Sequence, residues 1–195
     1  LGTLTALART VDTNSPWTAG HSERVTNLAM NLGRELGLST HEIDLLRRGG
    51  LLHDIGKLGV SQSILDKPGK LTEEETAVMR RHPSKGAEIL EPIPNLQKVI
   101  PIVSQHHERF DGKGYPHGLS GEDISLHARI LALADVVDAL ISDRPYRPGW
   151  SREKVLAYTR ENSGSQFDPS VVEAFLRIEA RRSGTAPAET EFIGA

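Results

Sequence analysis

Apolar residues in this chain return at steps of three and four, and no stretch of useful length alternates with the period of two that a strand requires, so the sequence specifies helices and no sheet. From Ser22 to Leu36 the positions Val25, Leu28, Ala29, Leu32 and Leu36 form one amphipathic stripe, which Gly37 is placed to end. Ser39 followed by Glu42 has the spacing of a capping box and opens a second helix through Ile43, Leu46, Leu51 and Leu52; Thr72 with Glu75 repeats the signature. Leu96, Val99, Ile100 and Val103 lead into His106 and His107, after which five glycine and proline positions between Gly112 and Gly121 break all periodicity. A loop of that length is not idle filler. A strongly apolar helix then carries Asp135 and Asp138, and Asp168-Pro169 caps a last one around Val172, Phe175 and Leu176. Aromatics make up only 5% of the chain, which leaves the core to Leu, Ile, Val and Ala. The expected architecture is an all-α globular bundle of roughly seven or more helices. Its 195 residues fit one domain, expected over 1–181, with a flexible polar tail over 182–195 around Ser183-Gly-Thr-Ala-Pro.

Composition removes several functions. No apolar run approaches the roughly 20 residues that cross a bilayer, and no secretory leader is visible, so a cytoplasmic protein without a membrane segment is expected. A net charge of -3 argues against a duplex nucleic-acid partner, which asks for a basic face. With no cysteine there are no disulfides, no thiolate metal sites and no Cys nucleophile; any metal must sit on His and carboxylates. The chain starts at Leu1 rather than Met, as expected of a piece with an upstream neighbour.

Of eight histidines, His21, His53, His82, His106, His107 and His127 fall on or at the ends of apolar helices. One such histidine is ordinarily a satisfied core or capping residue; a set of them is not. His21, His53, Asp54, His82, His106, His107 and Asp135 supply imidazoles and carboxylates in the proportion of a carboxylate-bridged dinuclear centre. Gly49-Gly50 precedes His53-Asp54 and lets another helix approach closely. Adjacent helical residues point about 100° apart, so His106 and His107 either flank one ion or serve two. His41 and His117 read as surface residues, and His127 has no assigned role.

The ordered elements His21-Ser-Glu-Arg-Val, His53-Asp-Ile-Gly-Lys57, Arg81-His82-Pro83, His106-His-Glu-Arg-Phe-Asp-Gly-Lys-Gly-Tyr-Pro116 and Ala134-Asp135-Val-Val-Asp-Ala-Leu140 resemble the successive motifs of the HD-GYP family across about residues 1 to 180. The resemblance implies an HD-domain fold and metal-dependent hydrolysis of cyclic di-GMP, to linear pGpG, by a metal-bridging hydroxide. It makes the seven residues above metal ligands for two divalent ions, Fe or Mn, with Asp54 bridging and catalytic. Lys57 becomes a catalytic and substrate-binding residue at the scissile phosphate, and Arg144 and Arg147 become phosphate contacts, a task that suits a guanidinium fork. Tyr115 is expected on the nucleotide, while Asp111 and Gly112 shape the loop. Diguanylate cyclase (GGDEF) partners and an upstream sensor or receiver domain follow from the resemblance alone.

One position departs from the pattern. Family members with three metals carry an acidic residue four places before the first His, where this chain has Trp17; an indole ligates nothing, and Asp12 is the nearest preceding carboxylate. Two ions and a linear product are therefore expected. Two other readings compete: a cyclic di-GMP-binding or protein-docking module with weak turnover, and another HD phosphohydrolase acting on nucleoside phosphates. The second accounts for His21, His53, Asp54 and Asp135 but not for His82, His106, His107 or the Gly-Tyr-Pro loop.

Overall fold

The computed structural model describes residues 2–13, 19–143 and 148–184. These form α1 (Gly2–Asp12), α2 (His21–Glu35), α3 (Thr40–Leu52), a 3-10 segment Ile55–Gly59, α4 (Gln62–Leu65), α5 (Glu73–Met79), α6 (His82–Leu90), a 3-10 segment Pro94–Val99, α7 (Ile100–Gln105), α8 (Leu126–Ile141), α9 (Arg152–Glu161) and α10 (Pro169–Arg182). No strand occurs among the described residues.

The caps read from the sequence are in place. Ser39 and Glu42 exchange both bonds of a capping box at the start of α3, and Thr72 and Glu75 do the same for α5. Asp168 accepts from the Ser170 amide at 2.7 Å, with Pro169 in the first turn of α10. After α2, Gly37 takes a left-handed φ of 78° and the Leu38 amide returns to the Gly33 carbonyl at 2.9 Å. The run into His106 is broken rather than continuous. Pro94 opens a 3-10 segment and Pro101 lies in the first turn of α7, where its missing N–H costs nothing. Lys57 likewise belongs to a separate 3-10 turn and not to a continuation of α3.

Two apolar clusters organise the helices. The larger packs Val25 and Leu32 of α2, Leu46 of α3, Leu131 and Val137 of α8, Val155 of α9 and Phe175 of α10. The smaller joins Val11, Leu52, Ile55, Leu90, Leu96, Val99 and Val103 around α1, α6 and the entry to α7. Helix α3 runs from one to the other, and its Gly49-Gly50 pair is what permits this. A Cβ on Gly49 would meet the Ile102 side chain at 2.6 Å, and one on Gly50 would meet the Thr26 backbone at 3.1 Å. His53 and Asp54 follow directly, at the seam between the clusters.

Candidate metal centre

The seam collects side chains from five places in the chain. His21 opens α2, His53 and Asp54 end α3, His82 opens α6, His106 and His107 follow α7, and Asp135 lies in the middle of α8. Three sets each bring their donor atoms within 4.8 Å of one another: His21, His53 and Asp54; His82, His106 and His107; and His53, His106 and Asp135. The first two sets share no residue, and Asp54 reaches across them, with Oδ1 3.4 Å from His82 Nε2 and Oδ2 3.9 Å from His21 Nε2.

The hydrogen bonds fix which ring nitrogen faces inward. Nδ1 of His53, His82 and His106 each donates to the carbonyl three residues earlier, on Gly50, Met79 and Val103, at 2.7, 2.8 and 2.7 Å. A carbonyl only accepts, so the proton of each neutral ring sits on Nδ1 and Nε2 offers a bare lone pair. The Nε2 atoms of His82 and His106 then lie 3.3 Å apart with no hydrogen between them. His53 Nε2 and Asp54 Oδ1 are buried without a partner. Converging lone pairs repel unless a cation lies between them, so this donor set fits divalent metal, and its nitrogen and oxygen atoms suit iron, manganese or a related ion.

Electrostatics prepares the protonation states that metal ligands need. Burial lowers the pKa of His82, takes that of His106 well below its ordinary value and brings His107 to about 3, so these rings stay neutral. Burial opposes ionisation of Asp54, yet the Lys57 ammonium and the charged His21 ring hold it well below the usual carboxylate range. Asp135 is held low against the same burial by a hydrogen bond from His21 and by its neighbours. Burial also disfavours charge on His21, but hydrogen bonds to Asp135 and Asp138 outweigh it and push the ring up to about 10. The negative charge that draws a proton there is the charge a cation needs.

Residues expected on the substrate side divide into two groups. Lys57 Nζ lies 2.5 Å from Asp54 Oδ2, so the lysine reaches the seam from its own 3-10 turn. Tyr115 stacks on His107 with centroids 4.9 Å apart, its amide donates to the His107 carbonyl at 3.2 Å, and burial raises its phenol so that it remains a donor. Arg144, Arg147 and Trp17 lie outside the described residues. Asp111 holds the Arg109 guanidinium at 2.7 Å and the Lys113 amide at 3.1 Å, while Gly112 takes a φ of 77°, in keeping with loop-shaping roles. His41 and His117 are exposed, and half-buried His127 is not among the clustered donors.

Three supporting carboxylates were not anticipated. Asp138 accepts from His21 Nδ1 at 2.7 Å and is itself gripped by Arg24, at 2.7 Å to Oδ1 and 3.0 Å to Oδ2. Buried Glu108 accepts from the His117 amide at 2.7 Å and the Leu119 amide at 3.1 Å, and so anchors the Gly-Tyr-Pro loop beneath the site. Asp12 accepts from the Ser22 amide at 3.1 Å and the Ser22 hydroxyl at 2.7 Å, tying α1 to the start of α2. The Asp-x-x-Asp spacing on one helix face signals Asp138; nothing local marks Glu108.

Residues 5–171 match the HD domain family. The chain belongs to that family. Within it this HD domain is of the HD-GYP type, as the ordered motifs and its relatives agree. It is 45% identical over 181 residues to the cyclic di-GMP phosphodiesterase response regulator RpfG of Xanthomonas campestris, covering 92% of this chain and 48% of that protein. It is 44% identical over 174 residues to the 3'3'-cGAMP-specific phosphodiesterase 3 of Vibrio cholerae, covering 89% and 38%. The HD domain thus spans about half the length, or less, of these curated relatives. Among solved structures, a cyclic GMP-AMP-specific phosphodiesterase of Vibrio cholerae superposes with a TM-score of 0.56 at 39% identity, over 95% of this chain and 41% of that one. Bd1817 of Bdellovibrio bacteriovorus superposes with a TM-score of 0.67 at 23% identity, over 85% and 53%, and speaks for the fold alone. No described helix is long and apolar enough to cross a membrane.

Proposed function

We propose that this HD domain is a metal-dependent phosphodiesterase that opens cyclic di-GMP to the linear dinucleotide pGpG. The observation that carries the reading is the convergence, from five chain segments, of donor atoms within 4.8 Å whose bare Nε2 lone pairs have no partner but a cation. His21, His53 and Asp54 would hold one divalent ion and His82, His106 and His107 a second, with Asp54 within reach of both sets and Asp135 completing the donors. When bound, iron or manganese there supplies Lewis acidity toward phosphoryl oxygens and makes water a competent nucleophile at neutral pH.

The chain's own residues do the remaining work. Lys57, its side chain 24% exposed, neutralises Asp54 and presents its ammonium group to the charge that builds on the scissile phosphate. Tyr115, braced on His107, offers a ring face and a phenol donor to the nucleotide. Arg144 and Arg147 are assigned the distal phosphate from the family resemblance, and Trp17 in place of the acidic residue supports two ions and a single cut. Cytoplasmic location, diguanylate cyclase partners and an upstream sensor or receiver domain belong to the same reading. A module with weak turnover loses its main support, because no donor of a dinuclear site is missing from the cluster.

Metal-loaded protein incubated with cyclic di-GMP and, separately, with 3'3'-cGAMP tests this directly when the products are resolved by chromatography. The expected result is faster turnover of cyclic di-GMP, with pGpG accumulating. Preference for cGAMP would move the substrate to the other class named among the relatives, and no hydrolysis of either would return the protein to the binding-module reading.

A further inference from the structure

We propose that Asp138 is a positioning residue that fixes His21 in the tautomer its metal requires, with Arg24 locking Asp138 in place; this rests on the metal reading above. The reason lies in where His21 stands. His53, His82 and His106 each have a turn of chain behind them, and its carbonyl three residues earlier takes the Nδ1 proton. His21 is the first residue of α2 and follows Gly20, which has a φ of 70°. Its Nδ1 proton goes instead 117 residues along the sequence, to Asp138 Oδ2 at 2.7 Å.

The clamp is built from two crossing pairs. Asp135 and Asp138 lie one turn apart on α8, and His21 and Arg24 lie one turn apart on α2, so each pair presents one face to the other. His21 Nε2 faces Asp135 at 3.2 Å while Nδ1 faces Asp138, and Arg24 closes the square through both Asp138 oxygens. Asp138 is 8% exposed, and its carboxylate is oriented by Arg24 and His21 at 2.7 Å each, with the Ser142 hydroxyl farther off at 3.5 Å. A carboxylate behind a ligating imidazole fixes the ring and strengthens its donor nitrogen more than a neutral carbonyl does. His21 is therefore a ligand whose hold on metal depends on a distant side chain.

The test uses the protein loaded with Zn2+, a diamagnetic probe, and reads metal retention against a chelator together with the His21 tautomer in long-range proton–nitrogen spectra of histidine-labelled protein. Wild type should retain Zn2+ with His21 protonated on Nδ1; failure to hold Zn2+ at all would sink the metal reading itself. Asp138→Ala should weaken retention on the order of 10- to 100-fold and lose the Nδ1–H signature of His21 alone, leaving those of His53, His82 and His106. Should the Ala variant fail to fold, Asp138→Leu fills the space, accepts no bond and predicts the same pair of changes. Asp138→Asn keeps an acceptor and should keep the tautomer. Arg24→Gln should keep the tautomer too and lose less retention than Asp138→Ala. Wild-type retention with an unchanged His21 signature in the Ala or Leu variant would overturn the proposal, as would an Asn variant that loses the tautomer.

Discussion

The two apolar clusters are unequal in size and in what they do. The larger gathers α2, α3, α7, α8, α9 and α10 around fully buried Leu32, Leu46, Leu131 and Leu133, and carries His21 and Asp135 on its helices. The smaller has fewer buried side chains, yet its elements bear or adjoin His53, Asp54, His82 and His106. Stability is concentrated on one side of the seam and most of the candidate ligands on the other. The lesson is that the donors are placed by how closely the small cluster docks, so that metal bound there would tie the two clusters together.

The largest break in that comparison comes from Asp54, which spans the seam. Asp54→Ala removes the shared carboxylate and leaves Lys57 without its partner, so turnover should fall below detection and metal retention should drop with it; full activity in that variant would refute its assignment.

Paired glycine substitutions sharpen the contrast next. A Cβ on Gly56 would lie 2.0 Å from the His82 carbonyl oxygen, backbone that cannot step aside without moving His82. Gly56→Ala should cost about 1–3 kcal/mol or more and weaken metal binding in the chain that still folds. A Cβ on Gly33, packed against the larger cluster, meets only the side-chain ends of Leu46, Ile43 and Leu38, at 2.7, 2.8 and 3.3 Å. Helix propensity there returns up to about 1 kcal/mol, so Gly33→Ala should shift melting less and leave metal affinity unchanged. Equal effects of the two on metal affinity, measured by competition with a chelator, would erase the distinction.

Glu108→Gln is expected to be milder and local. A glutamine has one oxygen to offer the two amides that Glu108 holds, so the loop should loosen at a cost of about 1–3 kcal/mol, raising KM while metal content stays intact. Loss of metal in this variant would show that the loop supports the donors and not the substrate.

The smallest effect expected is a pH trend in the ion-free protein. His82, His106 and His107 have folded pKa values below the 6.5 of an exposed ring, so on acidification the unfolded chain takes up protons that the folded chain refuses. Their contribution is present above about pH 6.5 and is lost as pH falls below it. His21, raised to about 10, acts in the opposite sense: its contribution is present below 6.5 and is lost as pH rises toward 10. With three rings against one, melting temperature should decline between pH 7 and 5, and a rise over that range would contradict the assignment of these rings as neutral.

Much of this was legible from residue order, for identifiable reasons. Helices with wide apolar stripes and explicit caps, such as α2, α3, α8 and α10, announce themselves because period and cap chemistry act within a few residues. Helices α1 and α9 did not: α9 buries only Val155 and Thr159, and its order depends on what it packs against. The seven clustered donors were readable because buried imidazoles in apolar helices call for a reason. Glu108 was not, since its partners are amides nine and eleven residues away across a loop that no period describes. Asp138 stood in plain view beside Asp135, but only the geometry shows that it takes the Nδ1 bond of His21 from 117 residues away.

The central claim is that one seam holds two ions between the two clusters. Elemental analysis of protein reconstituted anaerobically with iron or manganese, then freed of excess metal, tests it most directly. The account predicts about two ions per chain, falling together in Asp54→Ala; one ion or none per chain in the wild type would contradict it.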